Sequence, residues 1–297
     1  MVPTASILGM AVSAVIAIGV PIGLFLVLRK RLDLKVPPML VGAAVFIVFA
    51  LVLESLMHRI VLHPGADGTI ALAQNNPALY VLYGIFAAGV FEETGRLVGF
   101  TLLKKRFHGV RTGVSYGIGH GGIESVLLAG LSLLSAIVIS IMINAGIKLP
   151  TSLDATVTTM TTQPSGLFFV GGVERIFAIG TQISLSIIVW IAVTHKGKFW
   201  LFPVAIALHA LADLGAALTQ VGKWSILATE VYTGVLAAIF VTGAVWLIRR
   251  CLNEERLADE AAATAAADDA TLPVILPQAP DPAAAAAEAI DEIRPVA

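Results

Sequence analysis

Apolar residues run through this chain in blocks too long and too free of charge to be the buried face of an ordinary helix or strand. Stretches without an Asp, Glu, Lys or Arg cover 1–28, 36–53, 68–91, 125–147, 176–194 and 231–248. A helix needs about 20 apolar residues to cross the hydrocarbon core of a bilayer. The pattern therefore predicts spans at about 5–28, 37–57, 77–103, 113–143, 167–194, 199–219 and 226–248. The fold class that follows is all-α: a polytopic bundle of about seven transmembrane helices in a lipid bilayer. Polar turn signals, HPGADG and QNNP in 58–76 and TTQPSG in 144–166, separate the blocks.

Composition agrees. The chain of 297 residues is 57% hydrophobic and 13% charged, with a mean hydropathy of +0.89, which excludes an ordinary soluble domain. Its net charge of −1 hides a division. Residues 1–250 carry 17 basic and 10 acidic groups, giving +7; residues 251–297 carry 2 and 10, giving −8. We expect a membrane body at 1–250 and a cytoplasmic tail at 251–297, rich in Ala, Pro and acid and largely disordered. Ala and Glu at 254–269 favour a few further turns of the seventh helix. Arg29, Lys30, Arg31 and Lys35 follow the first span, Lys104, Lys105, Arg106 and Arg111 the third, Lys196 and Lys198 the fifth, and Arg249, Arg250 and Arg256 the seventh. The other loops hold only Arg59, Lys148 and Lys223. The positive-inside rule then puts the N-terminus outside and the C-terminus in the cytoplasm. MVPTAS lacks the positive region of a signal peptide, so the first helix reads as retained. One cysteine, Cys251, excludes a disulfide framework and a Cys-based metal site. No basic cluster with interleaved aromatics points to nucleic acid.

Ionisable groups inside the spans change the picture. Charge at membrane depth costs a few kcal/mol or more, so it faces a protein interior or a water cavity. The third span holds Glu92, Glu93 and Arg96, the fourth His120 and Glu124, the fifth Glu174 and Arg175, the sixth His209 and Asp213. Glu92/Arg96, His120/Glu124 and His209/Asp213 are four apart and share a helix face. A His with a carboxylate one turn away gives two ligands to one metal, or the carboxylate orients the imidazole. Counted from the ends expected in the cytoplasm, Glu93, His120 and His209 lie at a similar depth, roughly 10–15 Å at 1.5 Å per residue. Glu174 and Arg175 fall roughly 15 Å outside that level; adjacent on a helix, they need not pair, and they read as structural or substrate-lining. Isolated Glu54 and Glu230 read as edge carboxylates, and His58, His63, His108 and His195 as surface residues. Gly117, Gly119, Gly121 and Gly122 around His120 read as close helix packing or as room for water.

With these motifs in view, EETGR at 92–96, GHGGIE at 119–124, ER at 174–175 and HALAD at 209–213, the chain resembles the YhfC family of intramembrane metalloproteases. That family is related to the CAAX-prenyl protease and bacteriocin-processing group and to PrsW-type proteases. The resemblance covers about residues 1–250. It departs from the wider CAAX-type pattern in the two residues between Glu93 and Arg96, where three are usual, and in Asp213, where Asn is frequent. The resemblance implies hydrolysis of peptide bonds in a membrane-embedded or lipid-modified substrate, and residence as a multi-pass protein of an inner (plasma) membrane. It also implies a divalent metal, zinc foremost, that activates water and polarises a carbonyl. Glu92 would then be the general base, Glu93 its support or a ligand, and Arg96 the neutralising partner. His120, Glu124, His209 and Asp213 would hold or orient the metal. The same residues serve a scheme in which Glu and His activate water without one.

Two other classes stay open. Carboxylates, imidazoles and an Arg in mid-membrane also suit a proton- or ion-coupled transporter, although no internal repeat of the inverted kind is visible. A non-catalytic sensor or immunity protein could keep the site without the activity.

Overall fold

The computed structural model describes residues 1–65 and 68–271, and every regular element among them is helical. Seven long helices stand where the apolar blocks predict them. They are α1 (Thr4–Leu32), α2 (Val36–Leu62), α3 (Pro77–Leu103), α4 (Val110–Asn144), α5 (Ser165–Thr194), α6 (Leu201–Gln220) and α7 (Ile226–Thr271). Six are long and apolar enough to cross a membrane; α3, which carries Glu92, Glu93 and Arg96, is not among those six. Large apolar side chains point outward along the bundle, such as Val15, Leu40, Val138 and Ile239. That is the expected inversion for helices whose solvent is lipid.

Local chemistry sets the ends. α1 closes on Arg29, Lys30 and Arg31, cations that suit the negative end of a helix dipole, and Asp33 takes the left-handed conformation after it. α2 opens with Pro37 and Pro38 and α3 with Pro77, since the first turn has no use for the missing N–H. Asn76 caps α3 by accepting from the Leu79 N–H at 3.1 Å. A short helix, Ala71–Asn75, precedes it.

Hydropathy ends the second span at 57, but the helix continues to Leu62. The seventh continues to Thr271, as its Ala/Glu composition favours. Contacts divide the chain into two units, Met1–Asn253 and Glu254–Ala297. The described part of the second is helical, with Arg256 3.5 Å from Glu260. The expected disorder at 272–297 lies outside the described residues.

Within the first unit α4 packs on α2 and α5, α5 on α1, and α6 on α3. Glycine makes the α2–α4 contact possible. A Cβ on Gly119 would lie 1.9 Å from the Met39 carbonyl oxygen, and one on Gly42 2.2 Å from that of Tyr116. Gly117 and Gly121 likewise meet Ile183 and Gln182 of α5, at 2.7 and 2.8 Å. The glycines around His120 therefore bring three backbones together, which is the close-packing reading. π-helical stretches interrupt α2 at Ile47–Glu54 and α4 at Ser125–Gly130. One ends at Glu54 and the other begins just after Glu124; such bulges recur where a helix must re-aim a side chain.

Candidate functional site

α3 supplies three charged residues within two turns, and all three are buried: Glu92 is 7% exposed, Glu93 and Arg96 are 0%. Arg96 holds the group together. Its guanidinium donates to Glu93, to the side-chain amide oxygen of Gln182 and, at 3.2 Å, to the Ser186 hydroxyl, and it lies 3.6 Å from Glu92. A fixed fork of donors suits this multidentate task. A permanent cation beside two carboxylates also removes the cost of burying them unpaired.

Each carboxylate meets one imidazole. His120 Nε2 is 2.8 Å from Glu92 Oε2, and His209 Nδ1 is 2.6 Å from Glu93 Oε1. Both rings are buried. His209 Nε2 then faces Glu92 Oε1 at 4.0 Å and Asp213 Oδ2 at 3.5 Å. Gln182 bridges outward: its amide donates to Glu92 at 3.2 Å and to Glu124 at 2.5 Å. Phe46 packs edge-on against His120, and Tyr116 stacks on it.

The group opens onto a cleft of about 410 Å³ between α4, α5, α6 and α7. Glu124, Gln182, His209 and Asp213 line one part of it, and Glu174, Arg175 and Glu230 another. Across α6 a second cleft, about 440 Å³, is lined by Glu54, His58, Tyr83 and again Asp213. Asp213, its side chain 42% exposed, borders both.

The structure thus brings Glu92, Glu93, Arg96, His120 and His209 into one buried network, with Asp213 at its edge. Partners differ from the helical spacing in three places. His120 contacts Glu92 on another helix, whereas Glu124, one turn beyond it, meets Gln182 and Arg175. Arg96 pairs most closely with Glu93, three residues away, rather than Glu92. Arg175 pairs with its neighbour Glu174 and reaches Glu124 at 3.4 Å, because long side chains bridge the angle between adjacent positions. His58, expected at the surface, is hydrogen-bonded to Tyr83 at 2.9 Å and lies 3.2 Å from Glu54. Gln182 and Ser186 had a sequence signal only in their polarity, in mid-span of an apolar helix.

The match to known proteins falls on the same helices. A family model described as YhfC intramembrane metalloprotease matches residues 16–233, which include every member of the network. The chain belongs to that family. A Bacillus subtilis (strain 168) relative, "Uncharacterized membrane protein YhfC", is 34% identical over 258 residues, covering 84% of this chain and 98% of the relative. No solved structure matches.

A metalloprotease family implies a divalent metal, and the donors here fit one by chemistry. Two imidazoles and two carboxylates converge from three helices, a normal ligand set for zinc. Two of their ligand-type atoms, His120 Nδ1 and Glu93 Oε2, are buried without a hydrogen-bond partner, and such groups in a native interior call for a reason. As packed, the donors hydrogen-bond one another, so an ion would enter by separating them.

Proposed function

We propose that the chain is an intramembrane endopeptidase that hydrolyses peptide bonds of membrane-embedded or lipid-modified substrates. The observation that carries this reading is the buried Glu92–His120 contact, 2.8 Å, beside a cleft walled by His209 and Asp213. Hydrolysis needs a base for water, donors for the developing oxyanion and an acid for the leaving amine. Glu92 takes the proton of the attacking water at its carboxylate. His120 Nε2 shares that proton with Oε2 and, with Glu92, returns it to the leaving nitrogen. His209, donating through Nδ1 to Glu93, offers an Nε2–H to the oxyanion when its ring carries both protons. Arg96 keeps both glutamates in place by holding Glu93, Gln182 and Ser186 together. A divalent metal held by His120, His209 and Glu93, with Asp213 beside His209, would supply Lewis-acid polarisation of the carbonyl in place of the His209 N–H, leaving Glu92 as the base. Glu124 acts on the group through Gln182.

α3 crosses the bilayer with the other six helices in this reading. Its polar residues face the bundle, and its 27 residues reach roughly 40 Å at 1.5 Å each. The odd count then puts the N-terminus outside and the basic loops in the cytoplasm, in a bacterial inner (plasma) membrane.

The test is peptide cleavage by detergent-purified protein, with metal content measured by mass spectrometry in wild type, His120→Ala and His209→Ala. Cleavage with about one metal per chain, lost in both variants, supports a metallopeptidase. Cleavage without metal supports the same residues as a Glu/His water-activating pair. Folded protein that cleaves no member of a broad set of transmembrane and lipidated peptides overturns the reading.

A further inference from the structure

The wall of the 410 Å³ cleft carries four carboxylates, two of them, Glu174 and Glu230, at the end away from the buried network. Glu124 comes from α4, Glu174 from α5, Asp213 from α6 and Glu230 from α7. One permanent cation, Arg175, faces them; it lies against Glu174 and 3.4 Å from Glu124. His209, the remaining basic side chain on the lining, is already held by Glu93. Four carboxylates thus stand beside one permanent cation on the lining. Glu230 Oε2 is buried and has no hydrogen-bond partner. A buried carboxylate oxygen without a donor is costly. The polar remainder of the wall, Thr181, Gln182, Thr219, Gln220, Thr229 and Thr233, is neutral.

We propose that this end of the cleft is a subsite for a basic side chain, arginine above lysine, of the peptide substrate. The proposal rests on the peptidase reading and deepens it to a substrate class. A guanidinium brings one permanent positive charge and five N–H donors in a planar fork, enough to meet carboxylates spread over several helices at once. A pocket of hundreds of Å³ accommodates a side chain, whereas a bare ion needs its ligands gathered about one point. Glu174 precedes Gln182 on α5 by eight residues, roughly 12 Å along the helix. An extended peptide advances about 3.3 Å per residue, so the basic residue lies about three or four positions from the cleaved bond.

The experiment separates binding from cleavage by using the Glu92→Gln protein in detergent micelles. Three fluorescent peptides, each an apolar transmembrane-type sequence with a single central Arg, Gln or Glu, are titrated and followed by anisotropy. We expect the Arg peptide to bind at least tenfold tighter than the Gln peptide, and the Glu peptide weakest. Adding Glu230→Gln and Glu174→Gln should bring the Arg peptide to within about threefold of the Gln peptide. Arg175→Gln, which removes the internal cation, should preserve or strengthen the preference. Equal affinity for all three peptides, or a preference that survives both glutamine changes, overturns the subsite. Because the readout needs no turnover, a clear Arg preference in a protein whose wild type never cleaves would sink the peptidase reading and leave the subsite standing.

Discussion

Two acid–imidazole clusters flank α6, and contact distance alone does not tell them apart. On one side His120 meets Glu92 at 2.8 Å and His209 meets Glu93 at 2.6 Å. On the other, His58 Nε2 lies 3.2 Å from Glu54 and its Nδ1 2.9 Å from the Tyr83 hydroxyl. The difference is in what surrounds them. The first cluster is buried where it meets its cleft, its imidazole and carboxylate side chains at most 9% exposed, and a fully buried Arg96 sits among its acids. Two of its polar atoms have no partner. In the second cluster both imidazole nitrogens of His58 are engaged, and the ring is 35% exposed. A hydrogen-bonded pair at a cleft edge satisfies itself; a buried set arranged around an internal cation, with two polar atoms unpartnered, retains capacity for a ligand. On this ground we propose the first cluster for the chemistry, and matched changes in the two clusters should differ in effect.

The largest expected effect is that of Glu92→Gln. It keeps the shape and removes the base, so peptide hydrolysis should fall by about 10²- to 10⁴-fold, the usual contribution of general-base catalysis, with thermal unfolding in detergent nearly unchanged. Glu54→Gln, the matching change across α6, should keep activity within about threefold of wild type. Equal losses in the two variants would mean that both clusters serve the reaction.

Arg96→Met should act on stability instead. Removing one partner of a buried ion pair typically costs about 3–5 kcal/mol, because the other charge is left uncompensated. Thermal unfolding of the purified protein reads this directly. The double change Glu93→Gln/Arg96→Met should recover part of the loss, since no charge is then stranded at that point. A double variant less stable than Arg96→Met alone would show that Arg96 works through Gln182 and Ser186 rather than through the glutamate.

Gly119→Ala comes next. Its added Cβ would lie 1.9 Å from the Met39 carbonyl oxygen, so α2 and α4 must part. Overpacking of this kind costs about 1–3 kcal/mol. His120 is the adjacent residue, so cleavage should fall as well. Glu54 rides on α2 at the far end of a π-helical stretch, and the His58–Tyr83 contact should survive the shift. Cleavage at the wild-type rate in a folded Gly119→Ala protein would mean that the close approach seats nothing the chemistry needs.

Much of this was legible in the chain. Apolar blocks locate the seven long helices of the described residues, six of them long and apolar enough to cross a membrane. The acids and imidazoles of α3, α4 and α6 announce a shared interior through the cost of burying them. Pairing was less legible, because helical spacing orders residues within one helix while the site forms between helices. Hence His120 is met by Glu92 across a helix boundary, and Glu124 turns to Gln182 and Arg175. Gln182 and Ser186 carry no charge and so do not stand out in a hydropathy profile, yet they hold Arg96. His58 reads as a loop residue because hydropathy drops at 57, whereas backbone hydrogen bonding carries α2 a further turn through the polar residues. The π-helical stretches leave no composition signal of their own.

The smallest effect should come from His58→Phe, and it bears most directly on the comparison. The aromatic ring keeps its edge contact with Tyr83, now 5.5 Å between centroids, while the bonds to Tyr83 and Glu54 go. A net hydrogen bond contributes about 0.5–1.5 kcal/mol, and a ring 35% exposed recovers part of that from water. Stability should therefore drop by about 1 kcal/mol or less, and cleavage should stay within about threefold of wild type. Thermal unfolding and the peptide assay on one preparation measure both. A stable His58→Phe protein without activity would move the second cluster into the reaction: Asp213, which borders both clefts, would then be the connection between them, and His58 the next residue to follow by pH profile.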